Sequence, residues 1–104
     1  MRSSTYHIFF GNLANPLRID VIIALRLGKK NVSELMNEIG VEQSKLSHAL
    51  TGLRNCNLVN YEKNGKERIY SLNRKTILPI LKIIDKHAKE FCNGECKSCS
   101  CFKN

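Results

Sequence analysis

Tryptophan is absent from the 104 residues, acidic side chains number only nine, and no long apolar run occurs. Without tryptophan, the core has to be assembled from Leu, Ile and Val with a few Phe and Tyr. The scarcity of Asp and Glu against 17 Lys and Arg leaves a net charge of +8, spread along the whole chain, which favours a polyanionic partner. The strongest apolar stretch, residues 21–25, is far shorter than a membrane span, and nothing at the N-terminus has the apolar length of a signal peptide. A cytoplasmic protein with no membrane partner is expected. Catalytic arrangements are missing as well: His7, His48 and His87 are scattered, no Ser-His-acid spacing is present and no phosphate-binding glycine loop occurs, so no enzyme is expected. The length fits a single domain, and small cores of this kind often gain stability by dimerising.

What is present reads as a succession of capped helices and one hairpin. Tyr6, Phe9, Phe10 and Leu13 recur at helical spacing, which predicts a short first helix with a packing role. Asn15-Pro16 supplies an N-cap and a first-turn proline for a second helix, expected to turn Ile19, Ile22, Ile23 and Leu27 inward and to end at Gly28. Asn31 caps a third helix, with Glu34 completing a capping-box pair, Leu35 and Ile39 inward and Gly40 as terminator. After a sharp turn through Val41, a fourth helix over residues 43–56 aligns Leu46, Leu50 and Leu53, leaving Gln43, Ser44, Ser47, His48 and Thr51 on or near the opposite face. Asn57 accepts the left-handed conformation that ends it and opens onto a strand over 58–63, which returns through Asn64-Gly65 into a second strand over 66–72. A last helix from about Thr76, with Pro79 in its first turn, carries the stripe Ile77, Ile80, Leu81, Ile84, Ala88 and Phe91 and ends near Gly94. The expected fold is mainly α with a small β-hairpin. It is a winged helix-turn-helix of five helices and a two-stranded wing over residues 1–91, followed by a cysteine-rich tail, 92–104.

That arrangement presents a helix to the major groove and a basic hairpin to the flanking phosphates of double-stranded DNA. Gln43 suits adenine or other base edges, while Ser44, Ser47, His48 and Thr51 hydrogen-bond bases or phosphates according to depth. Lys45 and Arg54 are expected to touch backbone or solvent. In the wing, Lys63, Lys66 and Arg68 neutralise phosphates and add affinity without sequence choice. The tail carries a different chemistry. Five cysteines, four of them crowded at one end, do not form a secreted disulfide framework and in a reducing compartment indicate metal or redox chemistry. The spacing Cys92-x3-Cys96-x2-Cys99-x-Cys101 puts four soft ligands within reach of one ion, with Lys89, Lys97 and Lys103 favouring thiolates. Three thiolates suit arsenic(III), lead or cadmium; four suit zinc or an iron-sulfur centre. Disulfide formation on oxidation and an unligated tail remain open alternatives.

The segments Leu13-Ala14-Asn15-Pro16-Leu17-Arg18, Ser33-Glu34-Leu35, Ser44-x-x-Ser47-His48-x-Leu50-x-x-Leu53 and Leu58-Val59 resemble the ArsR/SmtB family of metal-sensing repressors, over roughly residues 6–90. The resemblance implies a homodimer formed by the first and last helices, bound to an inverted-repeat operator and released by an inducer. It also locates the family's inducer sites. Where many arsenic, cadmium and lead sensors open the third helix with Cys-x-Cys, this chain has Asn31 and Ser33. Asp85-x-His87 matches the first half of the zinc-type motif on the last helix, and no histidine continues it. A branch with two cysteines near the end of the recognition helix matches Cys56 at the later position and Gly52 at the earlier, so Cys56 is expected to be a buried packing thiol. The leading expectation is a DNA-binding repressor released by a soft metal or metalloid on Cys92, Cys96, Cys99 and Cys101. The runner-up is a redox-responsive or constitutive DNA-binding regulator whose tail holds a structural metal, and a metal-handling protein using the fold for partner contacts comes third.

Overall fold

The computed structural model describes residues 2–92. The chain divides into two units, Met1–Asn73 and Arg74–Asn104. The first contains α1 (Ser3–Leu13), α2 (Pro16–Arg26), β1 (Lys30–Asn31), α3 (Val32–Ile39), α4 (Gln43–Asn55), β2 (Val59–Asn64) and β3 (Glu67–Leu72). The second contains α5 (Ile77–Phe91), and Cys96, Cys99 and Cys101 lie outside the described residues.

Local backbone chemistry sets the helix boundaries. Asn15 Oδ1 accepts the Arg18 N–H at 3.1 Å, and Pro16, which has no N–H to satisfy, starts α2. At α3 the capping box is complete: Asn31 Oδ1 accepts from Glu34 N at 2.8 Å, and Glu34 Oε1 accepts from Asn31 N at 2.9 Å. Gly40 ends α3 at φ 74°, and Asn57 turns the chain out of α4 at φ 58°. The helix-turn-helix is therefore bounded on both sides by residues whose side chains or backbone freedom stop a helix.

The core lies where α2 meets α3, α4 and β3. Val21, Ile22 and Leu25 of α2 pack there with Leu35, with Leu46, Ala49, Leu50 and Leu53 of α4, and with Leu58, Val59, Tyr70 and Leu72 of the ribbon, all buried. Each fully covered Leu or Ile contributes about 1.5–3 kcal/mol, and this fixes α4 with its polar face outward. The inward face of α2 differs from the sequence expectation, because only Ile22 of the four expected residues is buried. Ile19, Ile23 and Leu27 are 37%, 48% and 84% exposed. Two apolar stripes run along this helix, and the packing of α3 and α4 selects Val21-Ile22-Leu25 rather than Ile19-Ile23-Leu27.

The wing has one strand more than expected. β1 pairs antiparallel with β3, Lys30 opposite Tyr70 and Asn31 opposite Ile69, so the sheet order is β1-β3-β2. Asn64 pairs with Glu67, so the two-residue loop is Gly65-Lys66 rather than Asn64-Gly65. Gly65 takes φ 67° at the first central position, where a type II′ hairpin turn uses glycine. α1 buries none of its residues; Phe9 and Leu13 are half-covered, while Tyr6, Ile8 and Phe10 face solvent. In α5, Ile77 is buried and Ile83, Ile84 and Phe91 are exposed. No single helix among the described residues is long and apolar enough to cross a membrane; α1 and α2 reach that length only together, across a 76° bend.

Candidate nucleic-acid interface

Burial of Leu46, Ala49, Leu50 and Leu53 turns the other side of α4 to solvent, and Gln43, Ser44, Lys45, Ser47, His48 and Thr51 are all exposed there. At about 100° per residue, Gln43, Ser47 and Thr51 form one row of i, i+4 neighbours, with Ser44 and His48 forming a second row beside it. The two rows open onto different clefts. Gln43 and Ser47 line a cleft of about 340 Å³ together with Asn31 and Ser33 of the α3 start and Lys66, Glu67 and Arg68 of the wing. Ser44, Lys45 and His48 line another, of about 310 Å³, against Asn15 and Arg18 at the start of α2. Some of this hydrogen-bonding capacity is already committed: Thr51 Oγ1 donates to Ser47 O at 2.9 Å, and Ser44 Oγ donates to Glu42 Oε1 at 3.1 Å.

Strand alternation sorts the charges of the wing. Val59, Tyr61 and Lys63 of β2 stand opposite Leu72, Tyr70 and Arg68 of β3, so one face of the ribbon runs from apolar at its base through two tyrosines to two cations near the tip. Glu62 and Glu67 belong to the other face. Lys63, Lys66 and Arg68 are all exposed, as a phosphate-contacting wing requires. The Arg68 guanidinium is held above its ordinary pKa, first by a hydrogen bond to Tyr70 and then by the phenolic groups of Tyr61 and Tyr70. Its charge is constant over the whole range in which the protein is handled.

Arg54, expected at backbone or in solvent, is exposed and lays its guanidinium over the Tyr61 ring, 4.7 Å from the centroid. Arg68 lies over the same ring at 4.6 Å. Sequence reading missed Tyr61 as an organiser, although an aromatic two residues before a wing lysine was the available signal. Cys56 is half-buried rather than fully buried, and its sulfur accepts a hydrogen bond from Asn12 Nδ2, while Asn12 Oδ1 accepts one from Arg18 Nη1. Arg18 occupies the space in front of Gly52, where an added Cβ would lie 2.7 Å from its Cζ. The site that the resemblance places at Gly52 and Cys56 is thus filled by a guanidinium.

No group of three or more His, Cys, Asp or Glu gathers among the described residues. Asp85 and His87 lie exposed on α5, and the His87 ring packs on Phe91 at 4.9 Å. Of the tail cysteines, Cys92 is described; it is a free, half-buried thiol at the C-cap of α5.

A sequence profile for "Bacterial regulatory protein, arsR family" matches residues 15–61, from the cap of α2 into the wing. The chain is 43% identical over 60 residues to the HTH-type transcriptional regulator NmtR of Mycobacterium tuberculosis, a match covering 58% of this chain and 50% of that one. It is 34% identical over 79 residues to the uncharacterized HTH-type transcriptional regulator Rv0081 of the same species, covering 75% and 69%. The crystal structure of Rv0081 aligns with a TM-score of 0.80 at 30% identity, over 86% of this chain and 91% of that one. The transcriptional repressor SmtB homolog of Synechocystis is 32% identical over 82 residues, covering 79% and 62%. The match spans half the length of NmtR and a little under two thirds of the SmtB homolog. These relatives are transcriptional regulators rather than enzymes. On this agreement of recognition helix, wing and relatives, the chain belongs to the arsR family of bacterial regulatory proteins.

Proposed function

We propose that this chain is a cytoplasmic DNA-binding transcriptional regulator, a homodimeric repressor that leaves an inverted-repeat operator when a soft metal or metalloid binds its tail thiolates. One observation carries the DNA-binding part of this reading. The Gln43 and Ser47 row of α4 shares a cleft with Lys66 and Arg68 of the wing, so base-reading and phosphate-binding groups converge there. Gln43, Ser44, Ser47, His48 and Thr51 read or position against the groove, and Lys45, Lys63, Lys66 and Arg68 neutralise phosphates. Exposed Tyr6, Ile8 and Phe10 on α1, and Ile83, Ile84 and Phe91 on α5, are apolar surface suited to a second copy. Repression follows the description of the SmtB homolog as a transcriptional repressor.

In this reading residues 1–91 are the DNA-binding and dimerisation domain and 92–104 the sensing tail. Cys92, Cys96, Cys99 and Cys101 are a soft donor set that fits arsenic(III), cadmium, lead or zinc. Thiolate donors so close in sequence need only local chain folding to meet one ion. The test titrates reduced protein with each metal while following its affinity for the duplex it enriches from a random library. A typical coupling of about 1–3 kcal/mol predicts a roughly 5- to 150-fold loss of affinity with one soft metal. Replacing Cys96, Cys99 and Cys101 by Ser should leave metal-free binding intact and remove the response. Binding indifferent to both metal and a mild oxidant overturns the sensing role, and absence of salt-dependent DNA binding overturns the regulator itself.

A further inference from the structure

We infer that Arg54 and Arg68, stacked together on Tyr61, form a paired-guanidinium clamp for DNA backbone phosphate at the junction of recognition helix and wing, with Tyr61 as the residue that positions both. The inference rests on the DNA-binding reading and adds to it Tyr61 and the pairing of Arg54 with Arg68 on one ring.

Three independent features place the clamp. The first is helical phase. Arg54 lies seven residues after Ser47, which at about 100° per residue brings it back to within about 20° of Ser47 on the surface of α4. It continues the row Gln43, Ser47, Thr51 toward the wing, so a duplex lying along that row passes over it. The second is strand alternation. Tyr61 shares its face of the ribbon with Lys63 and Arg68, and the Glu62 and Glu67 carboxylates belong to the opposite face. The third is the ring itself. Arg54 Cζ lies 4.7 Å and Arg68 Cζ 4.6 Å from the Tyr61 centroid, and Tyr61 rests against the buried Tyr70 with centroids 5.5 Å apart. The aromatic pair thus joins the hydrophobic core to two cations.

A guanidinium whose carbon lies over a ring still has N–H groups to offer, and these match a phosphate in a bidentate manner. Among the described residues neither Arg54 nor Arg68 forms an ion pair with a carboxylate. Two like charges are therefore held on one ring, and no carboxylate among the described residues pairs with either. A phosphate relieves that repulsion and finds both side chains already ordered, so little rotamer freedom is lost on binding. Stacking that served only to fasten the wing to α4 would need one arginine, not two.

The test uses the full chain and the duplex that the wild-type protein enriches from a random library. Binding is followed by fluorescence anisotropy across a salt series, with thermal unfolding of each variant recorded beside it. Removing one phosphate partner lowers the slope of log affinity against log salt by about 0.9, so the drop in affinity between about 50 and 200 mM salt shrinks roughly threefold. Arg54→Gln is expected to show that change with sequence preference unaltered. Tyr61→Leu, which removes no charge, is expected to flatten the slope as well, whereas Tyr61→Phe keeps it because the ring face remains. Should Tyr61→Leu fail to fold, Arg54→Gln at its exposed site and Tyr61→Phe still decide the matter. A wild-type salt slope in Arg54→Gln, whatever its melting temperature, overturns the clamp while leaving the regulator reading standing. Absence of DNA binding by the wild type overturns both.

Discussion

α4 and α5 are both amphipathic helices of similar length, 13 and 15 residues, and they dispose of their apolar stripes in opposite ways. In α4 the stripe Leu46, Leu50 and Leu53 is fully covered by its own chain, and what faces solvent is short, polar and hydrogen-bonding. In α5 Ile77 is buried and Ile80, Leu81 and Ala88 are half-covered, but the stripe opens to solvent at Ile84, 53% exposed, and Phe91, 72% exposed. A helix whose apolar side is satisfied internally can offer its remaining face to a hydrated, charged ligand such as DNA. A helix whose apolar side is open has surface to offer a protein partner. In the reading proposed above, the same physical pattern serves two interfaces with different chemistry.

Truncation should separate the two helices sharply. Leu53→Ala removes a side chain with no solvent exposure from the contact of α4 with α2 and should cost about 2–5 kcal/mol of unfolding free energy, read by denaturant titration. Comparable stability to the wild type would mean that α4 is not anchored as described. Ser47→Ala combined with His48→Ala leaves the core untouched, and should lower discrimination between operator and random DNA by up to about 1–3 kcal/mol for each bidentate base pairing removed, with the melting temperature unchanged. A competition assay showing the original preference would remove this face of α4 from base reading. Asn31→Ala deletes the α3 cap and should destabilise by about 1 kcal/mol in the same denaturant assay. Ile84→Ala should change unfolding at low concentration by less than about 0.5 kcal/mol, while shifting self-association in sedimentation experiments. An unfolding cost as large as that of Leu53→Ala would place α5 with the covered helices.

Helix ends were legible in the sequence because a cap is a local device. Asn15, Asn31, Gly40 and Asn57 each act on backbone groups within a few residues, and all four do what their residue types predict. The polar row on α4 was legible for the same reason, since the leucine spacing that buries one face also defines the other. Features set by distant chain were not. β1 is two residues of ordinary composition, made a strand only by the neighbouring edge of β3. α2 carries apolar residues on more than one side, so periodicity alone has two solutions. Asn64-Gly65 has the composition of a hairpin turn, but cross-strand pairing shifted the loop by one residue to Gly65-Lys66. Tyr61 reads as an ordinary strand residue until folding brings Arg54 and Arg68 to it.

Asn31 has a consequence for how α3 and the wing can move. Its backbone is paired with Ile69 in the sheet, its side-chain oxygen caps α3, and its side-chain nitrogen donates to Glu67 Oε1 in the wing at 3.4 Å. One residue thus acts as a rivet through three parts, at the position where resembling sensors carry a ligand cysteine. A rivet does not flex, so the tilt of the wing is tied to the first turn of α3. A displacement of the first turn of α3 is therefore carried into the wing, and in the reading proposed above an inducer would move the two as one piece rather than reshape either.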